Sequence, residues 1–489
     1  MRVRIIISIM DFLCSTRSKK CLYSLLAAFT IASLSGCTGQ TAVDVVRDTE
    51  TEVTADEVPD VVADTETDEP EDNAEDEPEE ADTSEQADET PALRESMRES
   101  LGVFAGCAVT GFEADDPGVW DIITTHFERV TLGNELKPDA LVAYSVSKCP
   151  GTYTDELNGE EIEVPKLDFS LADKILDKIL AWNEENPDRE IKVRGHVLVW
   201  HSQTPEWFFH EDYDKEKPYV DAGVMDKRLE WYIRTVLTYY TGEDSKYKNL
   251  FYGWDVVNEA VSDATGTYRT DAEKPEEPLS DDRHGSNSSW WHIYQSNEYI
   301  INAFRYANKY APAELELYYN DYNECQMNKR NGILDLLKSV KAEEGAPGEG
   351  TRIDAFGMQG HYSMDSPTAT DIQGSIQSYT AVVEKVQLTE VDVRASEGYD
   401  GSDESKPDEY EKQRKRYNMI RYAVQSAMNE GCEVSGITFW GTVDHYSWLQ
   451  YNTNVGGGTN GKLPQCPLLF DEHYEPKPCF YVFAGKDDK

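Results

Sequence analysis

The 489-residue chain is short of positive charge: 46 Lys and Arg stand against 93 Asp and Glu, for a formal net charge of −47. Phosphate binding needs clustered Lys and Arg, so nucleic acid is excluded as a partner. Strongly anionic polymers are disfavoured with it, whereas a neutral polysaccharide is not. None of the nine cysteines is spaced as CxxC, which removes zinc ribbons and dithiol redox centres. The chain has no HExxH pair, no glycine-rich phosphate loop and no internal repeat, so no metal and no cofactor is expected. The one extended apolar stretch, Cys21 to Leu34, is too short to argue for a permanent membrane span.

The acidity is unevenly placed. Residues 41–90 carry 22 Asp or Glu against one Arg and have no aromatic residue, leaving a net charge of about −26 on the rest. Such a stretch buries too little apolar surface to offset its ordering entropy, and its charges repel, so it reads as an extended tether. Ahead of it, Arg17, Lys19 and Lys20 precede the apolar run, which closes at Leu34-Ser35-Gly36-Cys37. This is a secretory signal pattern, and its end resembles the bacterial lipobox. That resemblance implies acylation of Cys37 and an exported bacterial lipoprotein, at the cell surface or on the periplasmic side of a membrane. The expected organisation is therefore a signal peptide over 1–37, an acidic disordered tether over 38–95 and a folded, monomeric body over 96–489. Six cysteines stay in that body (Cys107, Cys149, Cys325, Cys432, Cys466 and Cys479), and export permits them to form disulfides.

Within the body, short apolar runs alternate with helical periodicity. Strands are expected at Val103–Val109, Val130–Leu132, Ile191–Trp200, Phe251–Val257, Leu315–Tyr319, Ile353–Met358, Val386–Thr389 and Gly436–Trp440. Between them lie amphipathic stretches: Leu171, Ile175, Leu176, Ile179 and Leu180 fall on one stripe, and Ile420, Ala423, Val424 and Ala427 on another. Eight strand–helix units indicate an α/β fold, a (β/α)8 TIM barrel with long loops at the C-terminal face of the strands. A doubly wound open sheet is the competing arrangement. The polar stretches Gly151–Glu163, Thr270–Ser289 and Glu397–Glu411 read as loops.

In such a barrel the chemistry sits where strands end. Strand two delivers Asn134 and Lys137; strand three His196, Trp200, His201 and Gln203; strand four Asn258 and Glu259; strand five Asn320 and Asp321. Strand six delivers Gln359 and His361, strand seven Glu390 and Asp392, and strand eight Trp440, with Trp448 shortly after. Polar groups converging on one end of an apolar barrel, with tryptophans able to stack on sugar faces, point to a carbohydrate cleft. Glu259 and Glu390 lie on opposite arcs of that mouth, as glycosidic cleavage requires. A separation of about 5–5.5 Å goes with a nucleophile and retention, and one of about 6.5–9.5 Å with an activated water and inversion. Taken singly, each Glu is most often a solvated loop residue or an ion-pair member, each buried His a structural one, and Trp200 or Trp440 a cap on the barrel interior.

The stretches RGHVLVWHSQTPEWF, WDVVNEAV, GMQGHY, QLTEVDV, ITFWGTVDHYSWL and PLLFDEHYEPKPCFY stand in the order and spacing of glycoside hydrolase family 10, and the chain resembles that family from residue 96 to 484. The resemblance implies an endo-acting, retaining β-1,4-xylanase acting on xylan and xylo-oligosaccharides by double displacement. It implies that Glu259 is the acid/base and Glu390 the nucleophile, that Asn258 meets the sugar 2-hydroxyl, and that His361, with Asp392 behind it, orients Glu390. It further implies that Gln359 lines the pocket beside the acid/base, that Asn134, Lys137, His196, Trp200, Trp440 and Trp448 grip sugars on the non-reducing side, and that Gln203 supports them. Where most members of the family carry a glutamate and a tryptophan in the strand-two motif, this chain has Gly133 and Pro138, so altered preference at the distal sugar is expected. The alternatives are a β-1,4-glucanase or mixed-specificity glycanase on the same barrel, and a non-catalytic glycan-binding surface lipoprotein.

Overall fold

Each of the eight apolar runs forms a parallel strand in the computed structural model, which describes residues 90–142, 148–277, 279, 285–450 and 464–485. The expected signal peptide, the lipid-anchor residue Cys37 and the tether up to residue 89 lie outside the described residues. The strands are β1 (Phe104–Val109), β2 (Arg129–Leu132), β3 (Lys192–Gly195), β4 (Phe251–Asn258), β5 (Glu316–Asp321), β6 (Ala355–Met358), β7 (Lys385–Arg394) and β8 (Val434–Phe439). Each pairs with the next, and β8 pairs back onto β1 with Phe104 beside Gly436 and Cys107 beside Phe439. The sheet therefore closes on itself, as a (β/α)8 barrel and not an open doubly wound sheet.

Helices follow the strands in turn and are started by local chemistry. Pro117 occupies the first turn of the helix Pro117–His126, whose cap Asp116 accepts the amides of Gly118 and Val119. Asp221 caps Ala222–Thr241, and Thr368 with Asp371 forms a capping box on Ala369–Thr380. In Ser170–Glu185 the buried stripe is Ala172, Ile175, Leu176 and Ile179. Leu171, expected on that stripe, is 59% exposed, because Ala172 takes the inward place of the i, i+3, i+4, i+7 set.

Three further expectations are revised. The expected strand Ile191–Trp200 is broken after Gly195; Val199–Trp200 resumes as a short segment paired with the end of β4. The expected loop Gly151–Glu163 is an antiparallel hairpin, Thr152–Leu157 against Glu160–Pro165, turning at Asn158 and Gly159, both with positive φ. The expected loop Glu397–Glu411 ends early, because the helix Lys406–Asn429 begins inside it. The six cysteines of the body are free thiols. Among the described residues no helix is long and apolar enough to cross a membrane.

The barrel interior is not wholly apolar. Arg194 on β3, 1% exposed, pairs with Asp255 on β4 and donates through Nη1 to Gln387 Oε1 on β7 at 2.7 Å, while Gln387 Nε2 reaches Thr438 Oγ1 on β8 at 3.0 Å. The ring of Tyr318 lies 3.9 Å from the guanidinium carbon. Every member finds a partner, which is what lets a buried polar network hold the strands in one register. It also forms the floor on which the mouth is built, since Asp255 Oδ2 meets His196 Nδ1 at 2.9 Å.

Candidate active site

Strand geometry delivers the two carboxylates differently. β7 runs five residues beyond its expected end at Thr389, so Glu390 and Asp392 are strand residues. At a spacing of two they share a face, and β7 there pairs with the short strand His361–Ser363, placing His361 beside Asp392. Glu259 instead follows the last residue of β4 and adopts φ +55°, a left-handed conformation unusual for a side chain with a Cβ.

A raft of side-chain amides ties the two together. Gln359 Nε2 donates to Glu259 Oε1 at 2.9 Å and to Asn258 Oδ1 at 3.2 Å. Asn320 Nδ2 donates to Asn258 Oδ1 at 3.0 Å and to Glu390 Oε1 at 2.8 Å. Thr389 Oγ1 fixes Asn320 by donating to its Oδ1 at 2.7 Å. Asn258 thus spends its carbonyl oxygen on two donors. The other oxygen of Glu259 accepts from Trp200 Nε1 at 2.9 Å.

Behind Glu390 lies a charge relay of opposite signs. His361 Nε2 is 3.2 Å from Glu390 Oε2, and its Nδ1 is 3.0 Å from Asp392 Oδ2, close enough for an ion pair though outside hydrogen-bond alignment. Trp448 Nε1 donates to the same Asp392 oxygen at 2.7 Å. Burial works against a charged His361, but Asp392 and Glu390 outweigh it and push its pKa up to about 10, so the ring is an imidazolium at neutral pH. Burial alone would raise Glu390; the bond from His361, the charges of His196 and His361 and the bond from Asn320 together hold it below the usual carboxylate range. Glu390 is accordingly an ionised carboxylate at 5% exposure.

The remaining expected residues gather around these. Lys137 Nζ bonds Asn134 Oδ1 and Gln203 Oε1, each at 3.1 Å, and sits 5.2 Å from the Trp200 ring centroid. Burial lowers the Lys137 pKa, against the opposing charges of Glu390, Asp139 and Glu259. Trp440 lies edge-on to His196 at 5.5 Å and to His361 at 6.2 Å, and Trp448 is 5.0 Å from His361. Asn134 is exposed, at the outer rim of the cluster. Glu135 does not stand in for the carboxylate absent at Gly133: its oxygens accept the amides of Gly111, at 2.7 Å, and of Asn134, at 3.2 Å. Among the described residues, no three His, Cys, Asp or Glu side chains gather as a metal site.

Two contributors had no assigned part in the sequence reading. Asn320 was visible only as a polar residue at the end of β5. Arg269, buried in the loop after β4, donates through Nε to the backbone oxygen of Glu259 at 3.0 Å; no periodicity or strand end marks it.

The sequence profile of glycosyl hydrolase family 10 matches residues 92–486. An endo-1,4-beta-xylanase of Geobacillus stearothermophilus is 34% identical over 394 residues, covering 80% of this chain and 97% of that protein. Among solved structures, a GH10 protein from Paenibacillus barcinonensis superposes with a TM-score of 0.62 at 28% identity, over 81% of this chain and 97% of that one. The xylanase 10B modules of Clostridium thermocellum, solved with xylohexaose, give a TM-score of 0.61 at 27% identity over 81% and 67%.

Proposed function

The chain belongs to glycosyl hydrolase family 10, and from that premise we propose how its cleft acts as an endo-β-1,4-xylanase, with Glu259 as acid/base and Glu390 as nucleophile. The enzyme hydrolyses β-1,4-xylosidic bonds by double displacement. In the first step a Glu390 oxygen attacks the anomeric carbon while Glu259 gives its proton to the departing sugar oxygen, leaving a xylosyl ester on Glu390. In the second, Glu259 takes a proton from water, the hydroxide adds to the anomeric carbon, and Glu390 leaves as carboxylate.

The observation that carries these roles is the asymmetry of the two carboxylates. Glu390 is backed by a cationic His361 and held ionised, as a nucleophile must be. Glu259 is flanked by neutral N–H donors, Gln359 and Trp200, with no cationic side chain in direct ion-pair contact among the described residues, and proton transfer is assigned to it. Asn258, whose carbonyl oxygen is already taken by Gln359 and Asn320, bonds the 2-hydroxyl through Nδ2, an interaction that strengthens as the sugar approaches the oxocarbenium-like transition state. Lys137, Asn134, His196, Trp200, Trp440 and Trp448 hold sugars on the non-reducing side, with Gln203 and Asp392 as supports.

Hydrolysis of xylan against carboxymethylcellulose tests the substrate: faster release of reducing ends from the cellulose derivative would favour the glucanase reading. Glu390→Gln is expected to abolish turnover while xylohexaose still binds; a variant that still turns over would remove Glu390 from the chemistry.

The basic, apolar and Cys37 segments together support an exported lipoprotein in which the acidic tether holds a monomeric catalytic barrel off the membrane. Cys37→Ser is expected to move the enzyme from the membrane to the soluble exported fraction, and unchanged fractionation would contradict the anchor.

A further inference from the structure

Glu259 occupies a backbone conformation that a glutamate does not choose unaided. At φ +55° its Cβ crowds its own backbone, and such a residue persists only where the surroundings over-determine it. Here both backbone polar groups of Glu259 and of Ala260, and the carbonyl of Val261, have partners. Glu259 N–H donates to Asn320 O at 2.9 Å, and Ala260 N–H to the Tyr319 hydroxyl at 3.0 Å. On the carbonyl side, Glu259 O accepts Arg269 Nε at 3.0 Å, Ala260 O accepts the Arg269 amide at 2.8 Å, and Val261 O accepts Lys329 Nζ at 2.7 Å.

Arg269 is the unusual member. It is 5% exposed, and its guanidinium is received by neutral oxygens: Glu259 O, Ser286 O at 3.2 Å, the Tyr322 hydroxyl at 3.3 Å and, at the limit of 3.5 Å, Val261 O. Among the described residues no carboxylate lies within ion-pair range of it. Burial works against its charge, but the nearby oxygens of Tyr322, Glu259 and Asp321 more than offset it and keep the guanidinium charged, and a planar fork of donors fixes the direction of a carbonyl better than any neutral side chain. Tyr319 is fixed in turn, since its hydroxyl donates to the buried Asp321, which Lys329 also meets at 3.0 Å.

We propose that Arg269, with Tyr319 on the next amide, is a positioning residue that locks the left-handed turn at Glu259, so that the carboxyl reaches the glycosidic oxygen. The inference rests on the reading of Glu259 as acid/base and adds the residues that aim it. A substrate that needs no protonation should then be indifferent to Arg269, while one with a sugar leaving group should not.

The test compares kcat/KM on xylotetraose with kcat/KM on 2,4-dinitrophenyl β-xylobioside, whose leaving group departs as a stable phenolate, for wild type, Arg269→Lys, Arg269→Met and Tyr319→Phe. General acid catalysis is worth about 100-fold or more, so Arg269→Met is expected to lose roughly that factor on xylotetraose and less than about threefold on the aryl substrate. Arg269→Lys and Tyr319→Phe should show the same split at smaller size. In Arg269→Met, azide should raise turnover of the aryl substrate by replacing the base-assisted water. Equal losses on both substrates in the variants that fold, or no loss on xylotetraose, would overturn the proposal. A wild-type enzyme inactive on xylotetraose would instead overturn the function on which it rests.

Discussion

Asn320→Ala isolates the support that the amide raft gives the nucleophile. Asn320 is fully buried and donates from one nitrogen to Glu390 Oε1 at 2.8 Å and to Asn258 Oδ1 at 3.0 Å. A hydrogen bond to a charged group is worth about 1.5–3 kcal/mol, which converts to a fall of roughly 10- to 150-fold in kcat/KM if it is retained through the transition state. The pH profile supplies a second, independent reading. The Asn320 bond is one of the influences holding Glu390 below the usual carboxylate range, so its loss raises the Glu390 pKa and moves the acid limb of kcat/KM to higher pH. Stability follows the same sign. A carboxylate with a depressed folded-state pKa contributes stability above its unfolded pKa and loses it as pH falls through the folded value, so the stability deficit of the variant through this carboxylate should be full at neutral pH and shrink in acid. The assay is kcat/KM on xylotetraose from pH 3 to pH 9, with thermal melts across the same range. An acid limb that does not move, together with kcat/KM within about twofold of wild type, would refute the idea that the raft sustains the charge on Glu390.

Other consequences follow from particular contacts. Gly133→Glu restores a carboxylate whose Cβ would stand 3.1 Å from the Thr110 methyl, a contact relieved by a small shift; kcat/KM on xylotetraose should rise by about tenfold from a charge-assisted bond to the distal sugar, with a smaller gain on glucuronic-acid-decorated xylo-oligosaccharides, and identical kinetics would sink the subsite argument. Trp448→Ala removes both a cleft wall and the donor to Asp392 Oδ2, so xylan hydrolysis should fall while the rate on cello-oligosaccharides relative to xylan rises; a constant ratio would show that Trp448 does not limit the room for a hydroxymethyl group. Lys477→Met breaks a buried pair in which Nζ meets Asp444 Oδ2 at 2.8 Å and Gln413 Oε1 at 3.0 Å; the unpaired carboxylate should cost about 3–5 kcal/mol by denaturant titration, and adding Asp444→Asn should recover part of it.

What the sequence made legible was what strand periodicity carries. Glu259, Asn258 and Asn320 stand at or next to the ends of β4 and β5, where apolar runs stop, and Glu390 and Asp392 share a face because side chains alternate along β7. The hairpin Thr152–Pro165 went unseen although Asn158-Gly159 is a strong two-residue turn signal, because its strands are built of exposed Glu, Asp and Thr and bury little. The first turns of Lys406–Asn429 read as loop for a similar reason: Lys, Asp and Glu there lack an apolar stripe, and the helix is held from its later residues, Ile420, Ala423, Val424 and Ala427. Arg269 left no trace in pattern at all. Its importance lies in the backbone oxygens it meets, and those are set by the fold of a loop and not by any repeat in the chain.

The central claim is that Glu390 becomes covalently bonded to xylose during turnover. Incubation with 2,4-dinitrophenyl 2-deoxy-2-fluoro-β-xylobioside, whose fluorine slows both steps while the good leaving group keeps the first accessible, should trap that ester for peptide mass spectrometry. One fluoroxylobiosyl group on the peptide containing Glu390 is the predicted result. An active enzyme that acquires no label, or acquires it on another residue, would contradict the account.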